Sequence, residues 1–205
     1  MMASTPWFAS IRVFPDGSLR LRKSVVFILL ICLMVAGCWQ SRNRPYRNDM
    51  SLQPFAAGTV TAISHDGRVA HYALRRIARG RYRLTLTDRG QDFGQGFELG
   101  FFPLPGAPAH VLVLQMAMLN FHTGDDSLRF YGLLVVTGKD SAQEIDPDCG
   151  RDARKAHVPS AYRKITDMCS FPDRAALEKS LLALWKSGKK PDTSLSLVPA
   201  IGSPR

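Results

Sequence analysis

Residues 58–88 read GTVTAISHDGRVAHYALRRIARGRYRLTLTD. Val60 to His65 and Arg68 to Ile77 flank Asp66-Gly67, a dipeptide that accepts positive φ at both turn positions, so the pattern predicts a two-residue hairpin. Ala78-Arg79-Gly80 then fits a three-residue loop with Gly80 in the left-handed place, and the chain returns through Arg81 to Thr87. With Ile77 opposite Arg81, Leu74 falls opposite Leu84 and Tyr72 opposite Leu86. These four share one face, which is assigned to the core. The other face collects Arg75 beside Arg83, with His71, Thr85 and Thr87. Like charges directly across two strands are destabilising, so the pair invites an anionic partner. Arg75, Arg81 and Arg83, with Arg79 at the turn, are therefore the candidate binding residues, because guanidinium groups offer forked donors to phosphate or carboxylate. The plain alternative is a solvated edge whose charges resist strand aggregation.

Working outward, residues 88–96 are rich in Gly, Asp and Gln and read as a loop. Phe97, Leu99 and Phe101 alternate in a short strand, and Pro103, Pro105, Gly106 and Pro108 break the chain. Val111 to Leu119 and Leu128 to Thr137 are the most apolar segments and are predicted as central antiparallel strands. Gln115 inside the first must find a hydrogen bond if buried. Between the two lie His122, Asp125 and Asp126, the one compact group resembling metal ligands; a zinc site needs more ligands and a second shell, so a polar turn is expected, with no metal and no cofactor. Ser141 to Tyr162 is polar and reads as a surface loop.

After Cys169, Ser170-Phe171-Pro172-Asp173 resembles a capping box and predicts a helix to about Ser187. Leu177, Leu181 and Leu184 line its apolar stripe, Lys186, Lys189 and Lys190 suit its negative end, and Gly188 stops it. Ser194 to Val198, in the terminal tail, is expected to add an edge strand. The fold class that follows is α+β: an antiparallel β-meander of about five to seven strands with one C-terminal amphipathic helix packed on it. A small open barrel or a sandwich is the alternative architecture.

Upstream, Arg20, Arg22 and Lys23 form a positive cluster, and Val25 to Ala36 is an apolar run without charge, the order of a secretory signal. Val35-Ala36-Gly37-Cys38 at its end resembles the lipobox of bacterial lipoproteins. The resemblance implies a diacylglycerol thioether on Cys38, cleavage before Cys38 and acylation of the new amine, which together exceed what stable membrane anchoring needs. Val25 to Trp39, about 15 residues, is shorter than the roughly 20 that span a bilayer core. Met1 to Leu19 precede the basic cluster and make an unusually long lead, read as a misassigned start or a cytoplasmic extension. The expected organisation is a signal peptide over 1–37, a lipidated N-terminus and tether over 38–57 with Trp39 at the headgroup level, one domain over 58–190 and a tail over 191–205. No aspartate follows Cys38, which favours the outer membrane over the inner.

Removing 37 of the 205 residues leaves 168, enough for one domain with a core. Formal charge falls from +10 for the whole chain to +7, a balance suited to anionic lipid, lipopolysaccharide or peptidoglycan. Nucleic acid is excluded as a partner, because export removes the chain from it and no recognition helix is visible. Of four cysteines, Cys32 leaves with the leader and Cys38 carries lipid. Cys149 and Cys169 remain, and in an oxidising compartment they are expected to form a disulfide. No residue is assigned a catalytic role. The functional expectation is a lipid-anchored periplasmic binding or structural accessory that contacts an anionic envelope component or an envelope protein. An envelope hydrolase is the alternative.

Overall fold

The computed structural model describes residues 39–41, 46–47, 50–88, 91–118, 129–163 and 168–200. Strands β1 (Trp39–Ser41), β2 (Gly58–Ser64), β3 (Val69–Ala78), β4 (Arg81–Asp88), β5 (Gln91–Pro103), β6 (Val111–Met118), β7 (Arg129–Gly138) and β8 (Ser141–Ile145) come first. A one-turn helix α1 (Asp152–Lys155), a 3-10 turn at Ser160–Tyr162, β9 (Cys169–Ser170), helix α2 (Arg174–Lys186) and β10 (Thr193–Pro199) follow.

The expected α+β meander is corrected by β10. Each of β2 to β8 pairs antiparallel with the next, and β10 then inserts between β8 and β2. The result is a closed antiparallel barrel made of β2, β3, β4, β5, β6, β7, β8 and β10. Closure removes both sheet edges. Its physical basis is a period-two pattern in a polar segment: Leu195 lies opposite Ala62 and Ala142, and Leu197 opposite Val60. Ser194 to Val198 is thus the closing strand and not an edge. Ser141 to Ile145, expected within a loop, is β8, and it supplies the other flank of the seam. Gly58 makes that seam close: a Cβ there would lie 2.2 Å from the Val198 carbonyl oxygen.

The hairpins adjust the expected turns while keeping the register between β3 and β4. Leu74 lies opposite Leu84, Tyr72 opposite Leu86 and Arg75 opposite Arg83. Ile77 sits in a bulge, so that Ala78 and not Ile77 faces Arg81. Gly80, with φ of 69°, occupies the left-handed turn position. At the β2–β3 turn only Gly67 has positive φ, at 80°; Asp66 does not, and the loop is the three residues His65-Asp66-Gly67, closed by Ser64 N–H donating to the Arg68 carbonyl at 2.9 Å and Gly67 N–H donating to the Ser64 carbonyl at 2.8 Å.

Two apolar layers meet across the wall. Val60, Leu74, Tyr82, Leu99, Phe101, Leu112, Leu114, Leu134, Ala142 and Leu197 face the lumen and form one cluster. Phe102, Val111, Val113, Tyr131, Leu133 and Val135 point outward and join Trp39, Ile145, Phe171 and α2's Leu177, Leu181 and Leu184 in the other. This explains why β6 and β7 read as unbroken apolar runs: both of their faces are buried. Gln115, buried on the outward face, accepts a hydrogen bond from the Tyr131 hydroxyl at 3.2 Å. Asp173, and not Ser170, caps α2; its carboxylate accepts from Ala176 N–H at 2.8 Å.

Cys149 and Cys169 form a disulfide with a Cα–Cα distance of 5.4 Å. It ties the segment after β8 to β9. A loop of this size stabilises by about 3 kcal/mol on the chain-entropy model. β9 in turn pairs in parallel with β1, and β1 pairs antiparallel with the start of β7. Trp39, expected in a tether at headgroup level, is fully buried in β1 and packs on Phe171 at 5.0 Å. Tyr46 is buried as well, stacked on Phe102 at 4.5 Å, beneath the Arg174 guanidinium at 4.7 Å.

Candidate functional site

The predicted arginine face lies on the outside of the barrel. Inward Leu74 and Leu84 force Arg75 and Arg83, one residue on along one strand and one residue back along the other, to the outer surface. Both are exposed. They stand directly opposite each other, as like charges.

The structure separates the third candidate from them. Arg81 is chelated by Glu98 of β5, with Nε 2.9 Å from Oε1 and Nη2 on Oε2. Other arginines are engaged in the same way: Arg68 with Asp66 at 2.7 Å, Arg174 with Glu178 at 2.7 Å and Arg151 with Asp148 at 2.8 Å. Arg75 and Arg83 have no carboxylate partner among the described residues. Glu98 also faces Arg83 across the β4–β5 ladder, but its oxygens are taken by Arg81.

Arg75 lines one wall of a surface groove of about 390 Å³ where β3, β2 and β10 meet. Ala57, Ala73, Val198 and Pro199 give the groove an apolar floor. Val198 is 65% exposed, the most exposed large apolar side chain among the described residues. The groove therefore combines one free cation with uncovered apolar surface.

A second group is inside, and the sequence reading missed it. Glu144 of β8 lies opposite Leu134 and Thr193 and shares the lumen-facing side of the strand with Ala142. Its carboxyl has no hydrogen-bond or ion-pair partner among the described residues. Burial first, then the nearby Asp146 and Asp192 carboxylates, push its pKa up to about 7. Tyr72, also facing the lumen, has its pKa raised by burial and by Glu144. A detectable signal was present: Gly138-Lys139-Asp140 is turn chemistry after an apolar strand, and Ala142, Glu144 alternate with Gln143, Ile145.

Just past β8 the chain forms a charged knot. Lys189 Nζ lies 2.7 Å from Asp152 Oδ2 and 3.2 Å from Asp192 Oδ2, and it donates to the Asp146 carbonyl. Asp192 Oδ2 also accepts from Asp146 N–H at 2.9 Å. Asp146 itself is pushed up to about 6, by burial and by the surrounding carboxylates, against the pull of Lys189. Lys189 thus closes this knot and does not act on the end of α2, the role expected from sequence. The knot joins the segment after β8, α1 and the entry to β10, so its role is architectural.

Cys38 and the group His122, Asp125 and Asp126 lie outside the described residues. No helix among the described residues is long and apolar enough to cross a membrane. Compared with models of protein families, with curated proteins and with solved structures, the chain gives no match.

Proposed function

We propose that this chain is a lipid-anchored protein of the bacterial envelope that acts as a binding accessory, holding an anionic envelope component or an anionic patch of a protein partner against the outer face of β3 and β4. One observation carries this reading: Arg75 and Arg83 oppose each other with no ion-pair partner among the described residues, since Glu98, which faces Arg83 across the ladder, is bound to Arg81. A phosphate or carboxylate placed between the two guanidinium groups relieves their repulsion and gains charge-assisted hydrogen bonds. The basic balance of the sequence and the groove beside Arg75 support the same reading. The Cys38 motif supplies the anchor, and the outer membrane is the favoured leaflet partner with the barrel in the periplasm.

Two measurements test it. Vesicles containing phosphatidylglycerol, and separately purified peptidoglycan, are expected to retain the protein in low salt and release it as salt rises. The double variant Arg75→Gln/Arg83→Gln is expected to lose most of that retention; unchanged retention would remove the anionic-surface reading. Mass spectrometry of the membrane fraction is expected to find an acylated N-terminal Cys38. An intact, unacylated cysteine would remove the anchor.

A further inference from the structure

Among the described residues, the inward side chains are buried at one end of the barrel and only partly buried at the other. Beside the β3–β4 turn, Leu74, Tyr82, Leu99, Phe101 and Leu114 are buried. Residues 50–57 cross this end. Phe55 sets its ring edge-on to Phe101 at 5.9 Å, its carbonyl accepts from the Tyr82 hydroxyl at 2.8 Å, and Ser51 donates to the Gly80 carbonyl. Toward the other end, the inward side chains Leu84, Phe97, Met116 and Leu195 are only half-buried, so solvent reaches them. Ala62, Ala70 and Ala142 follow one another across β2, β3 and β8 by way of Leu195, so that half is lined by short side chains, with Ala142 itself buried. Glu144 and Tyr72 place a carboxyl and a phenol there, both half-buried and neither with a hydrogen-bond partner among the described residues.

An eight-stranded barrel is just wide enough to be packed by its own side chains or to hold one small ligand. A mostly apolar pocket with a few convergent polar groups is the general form of a small-molecule site. We propose that the partly buried half of the lumen, lined by short side chains, binds a small amphipathic amine, with its apolar tail among Leu84, Phe97, Met116 and Leu195 and its ammonium group on Glu144. The site goes beyond the surface reading above and is independent of both the anchor and the outer arginine pair.

The charges around Glu144 select the headgroup. Asp146 and Asp192 add negative potential. From β3 comes the neutral Tyr72. Lys189 is the nearby cation, and it is occupied by Asp152, Asp192 and the Asp146 carbonyl. His65, in the β2–β3 turn, contacts this region through its backbone N–H on the Asp192 carbonyl at 2.9 Å, and Asp148 is held by Arg151. A carboxylate headgroup meets like charge, and an alcohol gains one hydrogen bond. An ammonium group takes the place of the proton that Glu144 otherwise keeps.

That exchange makes the proposal testable. Burial and neighbouring acids hold Glu144 protonated at pH 6, so binding an ammonium ion there releases a proton, and none is released at pH 8. Isothermal titration of the full chain with octylamine, octanol and octanoate, against a matched blank without protein, reads it directly. Octylamine is expected to bind saturably, to release about one proton at pH 6, and to tighten roughly tenfold from pH 6 to pH 8. Octanoate is expected to bind much more weakly. Glu144→Gln is expected to abolish the pH dependence and to leave octanol binding in place, Ala70→Trp to abolish binding of all three by filling the lumen, and Arg75→Gln/Arg83→Gln to change nothing. Absence of saturable octylamine binding, absence of proton release by the wild-type chain at pH 6, or octanoate bound as tightly as octylamine would overturn the proposal, whether or not the variants fold.

Discussion

The barrel has a clad wall and a bare wall. On the clad wall, formed by β5, β6 and β7, the outward residues are Phe102, Val111, Val113, Tyr131, Leu133 and Val135, covered by α2, β1, β9 and Tyr46. On the bare wall, formed by β10, β2, β3 and β4, the outward residues are Ser194, Ser196, Thr59, Thr61, His71, Ala73, Arg75 and Arg83, with the apolar Ile63, Val69 and Val198 left exposed. The same closed sheet is thus buried on both faces on one side and leaves its outer face to solvent on the other, the side on which the proposed binding face lies. A strand buried on both faces has no side chain to spare for a partner, whereas the bare strands bury mainly their inward residues, with Thr85 the buried exception on the outer side.

The largest break in this contrast comes from truncating the clad side. Leu181→Ala empties a fully buried position and is expected to cost about 2–5 kcal/mol, whereas Thr61→Ala on the bare side stays within about 0.5 kcal/mol. Chemical denaturation of both variants checks the difference; equal losses would mean that the two walls are not distinct. Next is Cys149→Ser/Cys169→Ser, which frees β9 and with it β1. A loss of about 3 kcal/mol is expected, read as a melting temperature lower by roughly 6–12 °C, while retention by the arginine face persists.

The pH dependence of stability follows. Glu144 titrates at about 7 in the fold against 4.5 ordinarily, and Asp146 at about 6 against 3.8. Both folded values are raised, so the unfolded chain gives up these protons first. The contribution is fully present below about pH 4, declines as pH rises, and is spent above about pH 7. The Glu144 gap alone, at about 1.4 kcal/mol per pH unit, corresponds to about 3–4 kcal/mol. Glu144→Gln is expected to flatten most of this profile between pH 5 and pH 8, and an unchanged slope there would show that Glu144 does not hold its proton in the fold. The smallest effect sharpens the bare wall: Arg75→Glu puts opposite charges across β3 and β4 and is expected to stabilise by about 0.5 kcal/mol, yet to lose retention on anionic vesicles.

Much of the bare wall was legible in the sequence. Two turn glycines and strict alternation placed Leu74 on Leu84 and Arg75 on Arg83, because a half-exposed strand writes its register into its side chains. The bulge at Ile77 carried no such signal. The clad wall was legible as buried strands, but its cladding was not: Trp39 and Tyr46 sit among Arg, Asn and Pro, where local composition speaks for a loop. Barrel closure escaped because Thr193–Pro199 is mostly Ser, Thr and Pro apart from Val198 and two inward leucines, and those leucines reveal a strand only when β2 and β8 flank them. Glu144 escaped for a related reason. An acidic residue in a short polar segment reads as surface until the opposite wall of a barrel encloses it.

The burial of Trp39 has a mechanical consequence for an acylated Cys38. One peptide unit spans at most about 3.6 Å, and the strand locked by Phe171 and the β9 disulfide begins at the very next residue. An acylated protein of this design has no leash: it rides on the bilayer like a fitting bolted flat to a deck, with a fixed heading, and whatever it grips must reside in, or be brought to, that same membrane surface.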